Sequence, residues 1–157
     1  MATKTKDIWQ TIYDALTEAK EERGGSLFFV KEILQGVRED IPLLPCIIME
    51  PISETENNYV IPNYYDITFR LTITCWIEVY GIDTQITGEE TEESIGILDF
   101  VARVKNVLNS STVLDSLKQS EGIKISFANT RYIFETYPYR AAEITVDIRF
   151  TSKADSR

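Results

Sequence analysis

The chain has 157 residues, 43% of them apolar and 26% charged, with a formal net charge of −9 and no histidine. That length fits a single domain, 1–157, with a real core, and no apolar run nears the roughly 18 residues of a membrane span. The acidity, with no cluster of Lys and Arg, argues against a broad nucleic-acid footprint, and the missing histidine removes the commonest general base and the commonest zinc ligand.

Residues 1–6, like the tail 152–157, are polar and expected to be loose. From Asp7, a candidate N-cap, Ile8, Ile12, Ala15, Leu16 and Ala19 form one helical stripe. Trp9 and Tyr13 lie at its edge, and Gly24-Gly25 stops the helix. SLFFVKEILQGV, 26–37, is expected to begin extended and continue as a helical turn. Cys46-Ile47-Ile48-Met49, between Pro45 and Pro51, reads as a short strand. SETENN, 53–58, reads as a polar loop, and Val60-Ile61-Pro62-Asn63 leads onward.

Tyr65 to Tyr80 is the most informative stretch. Tyr65, Ile67, Phe69, Leu71, Ile73, Cys75, Ile77 and Val79 alternate with Asp66, Thr68, Arg70, Thr72, Thr74, Trp76, Glu78 and Tyr80. A period of two means a strand with one face on a core. At roughly 3.3 Å per residue it reaches about 50 Å, beyond the span of a small domain. Such a strand either projects with open backbone groups that invite another chain, or bends as a hairpin arm inside the subunit.

Residues 81–94 form an acidic loop with Asp83, Glu89, Glu90, Glu92 and Glu93, without calcium-loop spacing. A helix is expected over 92–109, with Ile95, Leu98, Val101, Ala102, Lys105 and Leu108 near one face and Ile97 and Val104 beside it. Lys105 is placed to suit the C-terminal dipole. A further turn follows at Val113, Leu114 and Leu117. Ile123, Ile125 and Phe127 alternate, Tyr132 and Phe134 continue as a second run, and Ile144, Val146, Ile148 and Phe150 form a last strand. This strand is the natural antiparallel neighbour of the long one. The sum is an α+β domain: a mainly antiparallel sheet with a long β-hairpin and two principal amphipathic helices on one face.

No catalytic constellation emerges. There is no G-x-S-x-G, P-loop or G-x-G-x-x-G motif. Asp66 and Glu78 share a strand face but sit about 40 Å apart, too far for paired acid–base work. Cys75 belongs to the apolar alternation and reads as a core residue. A Cys46–Cys75 disulfide is disfavoured in an apparently cytosolic context. No cofactor, metal or enzymatic activity is expected. The tyrosines at the strand ends lack the basic groove that base stacking requires, and fit subunit packing or simple internal packing.

In its order of elements the chain resembles the tail terminator and tail-completion proteins of long-tailed bacteriophages. The resemblance rests on the opening helix IWQTIYDALTEA, the strand PCIIMEP, the long strand, the helix SIGILDFVARVKNVLN and the closing strand AAEITVDIRF. It implies a structural protein of the virion tail, assembled in the bacterial cytoplasm. It further implies a ring, commonly hexameric, at the head-proximal end of the tail tube, which halts tube polymerisation and offers a head-joining surface. The implied partners are further copies of the chain, the tube protein and a head–tail connector, with DNA only passing through and no membrane. Tyr64, Tyr65, Arg70, Trp76, Glu78, Tyr80, Glu89 and Glu90 are the candidate interface residues. The alternatives are a neck or connector protein of the same fold, and a small-ligand-binding α+β domain with its pocket at the aromatic strand ends.

Overall fold

A computed structural model describes residues 5–37, 40, 42–58, 64–78, 95–111, 114–115, 118, 122–133 and 138–153. The elements in order are α1 (Thr5–Glu21), β1 (Glu32–Gln35), β2 (Cys46–Asn58), β3 (Tyr64–Glu78), α2 (Ile97–Ser110), β4 (Lys124–Ile133) and β5 (Tyr139–Lys153). They form a five-stranded sheet in the order β1-β2-β3-β5-β4. Only the β1–β2 pair is parallel. The expected α+β architecture, with its long β2–β3 hairpin, is what the chain adopts.

Helix α1 buries Ile8, Ile12, Ala15 and Leu16, the stripe its spacing predicts. Each of the three larger side chains, Ile8, Ile12 and Leu16, fully buried, is worth roughly 1.5–3 kcal/mol relative to exposure. Asp7 lies inside the first turn rather than capping it, because the helix already includes Thr5 and Lys6. The opening residues expected to be loose are therefore partly helical. At the other end Gly25 N–H donates to the Glu22 carbonyl at 2.8 Å, and Gly24 takes a φ of +78°. That left-handed conformation suits glycine and stops the helix.

The next segment reverses the expected order. Phe28 N–H reaches the Gly25 carbonyl and Val30 N–H the Leu27 carbonyl, so turns come first. The strand follows, as β1, parallel to Cys46–Met49. Leu27, Phe29 and Val30 are buried from the turn rather than from a strand.

Strand β2 is far longer than its apolar core. The SETENN stretch, read as a loop, is its second half, paired with β3 from Ser53↔Arg70 to Asn58↔Tyr65. Polar residues form a strand here because an apolar, strongly β-prone partner supplies the ladder. A bulge between Pro51 and Ser53 shifts the alternation, which hides the strand from a period-two reading. A second bulge, between Phe127 and Asn129, makes one strand, β4, of what alternation divides into two runs.

Strand β3 is central and pairs with β5 residue for residue, from Tyr64↔Lys153 to Glu78↔Tyr139. Ser152 and Lys153, expected in a loose tail, belong to this ladder. Ile67, Phe69, Leu71, Ile73, Cys75 and Ile77 are all buried under the helices. With β2 on one side and β5 on the other, β3 does not project with open backbone. Among the described residues the edges of the sheet belong to other strands.

Helix α2 starts after Gly96 and buries Ile97, Phe100, Val101, Val104, Val107 and Leu108. The face is rotated from the expected one: Leu98 is 46% exposed and Ala102 is exposed. The uninterrupted apolar i, i+3, i+4 series runs through Phe100, whereas the expected series is interrupted by Lys105. Lys105 does not serve the last turn; its ammonium lies 5.5 Å from the Phe127 ring centre. Phe100 meets Phe29 edge-on at 5.0 Å between ring centres. Trp9 packs against Phe69 and donates its indole N–H to Gln35 at 2.7 Å. The two helices and one sheet face thus share a single core.

Candidate subunit interface

The other face of the sheet carries the even residues of β3. Its middle is a row of threonines: Thr72 faces Thr145 and Thr74 faces Glu143, and both β3 threonines are nearly buried. Around them charges pair across strands. Arg70 and Asp147 are directly opposite and bidentate, with Nε–Oδ1 at 2.7 Å and Nη2–Oδ2 at 2.9 Å. Arg149 reaches diagonally from its partner Thr68 to Asp66, with Nε 3.1 Å from both carboxylate oxygens. Arg131 faces Glu143 at 3.7 Å.

These pairs set electrostatics and register. The Arg70 guanidinium, by hydrogen bonding first and by its charge, holds the Asp147 carboxyl below its ordinary value against the opposing effect of burial. Arg149 does the same to Asp66, and Asp147 in turn raises Arg70. Arginines this exposed add little to stability. Their consequence is specificity, because a one-residue slip of β5 on β3 would face Arg70 with an apolar side chain.

The rims of the sheet differ from its middle. Strand β1 covers β2 only along Cys46–Met49. Among the described residues no strand pairs with the outer edge of β2 beyond that point, nor with the outer edge of β4. On the β2 side stand Glu50, Glu54 and Glu56, with no Lys or Arg between Cys46 and Asn58. On the β4 side stand Lys124 and Arg131, with no Asp or Glu between Lys124 and Ile133. Exposed apolar groups lie at both rims: Ile52 is 56% exposed at the β2 bulge, and Tyr132 39% on β4.

The candidate residues read from the sequence do not form one patch. Tyr64, Arg70, Trp76 and Glu78 share the open face. Tyr64 and Trp76 are separated by about 40 Å along an extended strand. Tyr65 points the other way, half-buried against the core. Arg70 is committed to Asp147. Trp76 sits between Cys46 and Ala141, both fully buried, in one cross-strand row. Tyr80, Glu89 and Glu90 lie outside the described residues. The rim charges are visible in CIIMEPISETENN and KISFANTRYI, but only the strand order places those segments at opposite sides, and only the register shows that Glu54 and Glu56 share the helix-covered face with Phe69 and Ile67 while Lys124 and Arg131 lie on the other with Arg149 and Glu143.

Two clefts bear on ligand binding. One of about 200 Å³ lies between the end of α1 and β1, beside Tyr13, Thr17 and Lys31, and the Thr17 hydroxyl is buried there without a hydrogen-bond partner. The other, about 270 Å³, is lined by Asp66, Gly122, Lys124, Arg149, Phe150 and Thr151. Both fall below the roughly 300–1,000 Å³ of ordinary small-molecule sites. Among the described residues no group of three or more Cys, Asp or Glu could hold a metal ion, and no helix is long and apolar enough to cross a membrane. No family model and no curated protein sequence matches the chain.

Proposed function

We propose that the chain is a structural ring component of a bacteriophage or prophage tail, the tail terminator. Copies close into a ring, a hexamer in the resemblance noted above, at the head-proximal end of the tail tube. The ring halts tube polymerisation and provides the surface that the head joins. It acts in the virion tail after assembly in the bacterial cytoplasm, with the tube protein and a head–tail connector as partners.

The observation that carries this reading is that, among the described residues, the sheet ends in two different strand edges, β2 beyond Met49 and β4, on opposite sides. A ring is a closed heterologous assembly, in which one surface of a subunit meets a different surface of the next. A sheet with one face under helices and both rims open offers such a pair of surfaces. The fully paired 15-residue strand β3 between them stiffens the span. The ion pairs on the open face are balanced between Arg70, Arg149 and Arg131 and Asp147, Asp66 and Glu143, which suits a surface near passing DNA that must not hold it.

The test is to polymerise the tube protein of the same tail with and without this chain. Electron microscopy is expected to show shorter tubes with extra density at one end. Tubes of unchanged length with bare ends contradict the reading.

A further inference from the structure

At one end of the sheet the charges on the open face do not balance. Arg70 and Arg131 each stand directly opposite a carboxylate, Asp147 and Glu143. Lys124 stands directly opposite Arg149 instead, and like charges in that position repel. Arg149 turns away to Asp66, and both carboxylate oxygens of Asp66 are hydrogen-bonded to it. Lys124 is left as an exposed cation with no ion-pair partner among the described residues.

Both cations line the cleft of about 270 Å³, together with Asp66, Gly122 and Thr151. Gly122 gives the cleft its shape. It has a φ of +65°, with open space where a Cβ would go. That left-handed conformation favours glycine, so the gap beside Lys124 is built into the backbone. Thr151, directly opposite Asp66 on the same face, adds an exposed hydroxyl. The cleft therefore sets two cations and a hydroxyl against one carboxylate, and that carboxylate is already engaged by Arg149. We propose that this cleft binds a single phosphate group. A lysine ammonium meets phosphate as a point charge, and the Thr151 hydroxyl can donate to a second oxygen. Arg149, held in place by Asp66, adds its positive charge to the same wall. A bound phosphate relieves the repulsion between Lys124 and Arg149. The size of the cleft, too small for an ordinary small-molecule ligand, suits one oxyanion. Phosphate is favoured over carboxylate because it carries more charge and more acceptor oxygens. The site is open to water, so its attraction is screened by salt.

The test is a titration of the wild-type protein with inorganic phosphate, followed by the backbone amide signals in NMR. Ionic strength is held constant by replacing chloride in step. Saturating shifts are expected at Gly122, Lys124, Arg149 and Thr151, with acetate at the same concentrations moving them less. K124Q is expected to weaken the affinity about tenfold or more, the loss of one charge-assisted hydrogen bond, while the rest of its spectrum stays as in the wild type. T151V is expected to weaken it by less. A second arm replaces phosphate with a short DNA duplex. If the duplex moves the same amides and K124Q removes the effect, the site takes its phosphate from a nucleic-acid backbone. If only inorganic phosphate moves them, the site takes a free anion. Both results support the inference. Shifts that never saturate, that spread evenly over the surface lysines, or that K124Q leaves unchanged overturn it, as does acetate binding as tightly as phosphate.

Discussion

Arg70 and Asp147 face each other across β3 and β5 and share two hydrogen bonds, at 2.7 and 2.9 Å. The pair lies on the face the helices leave open, where its charges are in water and its geometry fixes which residue of β5 meets which of β3. Asp66 and Arg149 repeat the arrangement diagonally toward the same sheet end.

Acid stability follows from these carboxylates. Both Asp147 and Asp66 have lowered folded-state pKa values. Their contribution is therefore fully present above the unfolded carboxylate value of about 3.9, and is lost as pH falls through the lower folded value. The melting temperature of D147N is expected to lie below that of the wild type by a constant margin near neutral pH. The margin closes below about pH 4. A margin that widens in acid contradicts the assignment.

The core prediction concerns Phe100, fully buried and edge-on to Phe29. Phe100→Ala removes the ring contact between α2 and the turn before β1, leaving Arg103 over Phe29 and on the Ser26 carbonyl. A loss of about 3–5 kcal/mol in urea unfolding is expected. A loss under about 1 kcal/mol would mean that the site collapses around the missing ring.

The two glycines after α1 separate strain from collision. Gly24 has a φ of +78° with open space where a Cβ would go. Gly24→Ala is therefore expected to cost about 1–2 kcal/mol through backbone conformation alone. A Cβ on Gly25 would lie 2.9 Å from the backbone carbonyl oxygens of both Ala19 and Glu22. Backbone oxygens cannot swing aside, so Gly25→Ala is expected to be the more damaging change by thermal melt. The reverse ranking would count against this account of the helix stop.

Thiol chemistry reports on the sheet. Cys46 and Cys75 are reduced thiols buried on adjacent strands, and burial first, then the neighbouring Cys46 sulfur, pushes the Cys75 thiol up. A buried protonated thiol is a poor nucleophile. Labelling of Cys75 by an aromatic disulfide reagent is expected to require global unfolding, with a rate that rises with denaturant as unfolding does. Rapid stoichiometric labelling of the native protein at neutral pH contradicts this placement.

Much of the fold was legible because uninterrupted alternation is an unambiguous signal. β3 and β5 each hold one phase over their paired length, and the α1 stripe is regular. The failures have physical causes. Bulges at Ile52 and Ala128 change the phase within β2 and β4, so one strand reads as strand plus loop and the other as two runs. Helix α2 carries apolar residues on more than one face, and its buried side is settled by packing on Phe29. The candidate surface residues were least legible. Arg70 and Trp76 look available on an isolated strand, but the sheet gives them partners. The rims become visible only when the strand order is known, because β2 and β4 are far apart in sequence and the sheet sets them at opposite sides.

Native mass spectrometry of the wild-type protein across a concentration series tests the proposed ring most directly. The account predicts a closed oligomer of one stoichiometry above dimer, growing at the expense of monomer, with no longer species at higher concentration. A population that ends at the dimer would show that like surfaces meet like, and would contradict it.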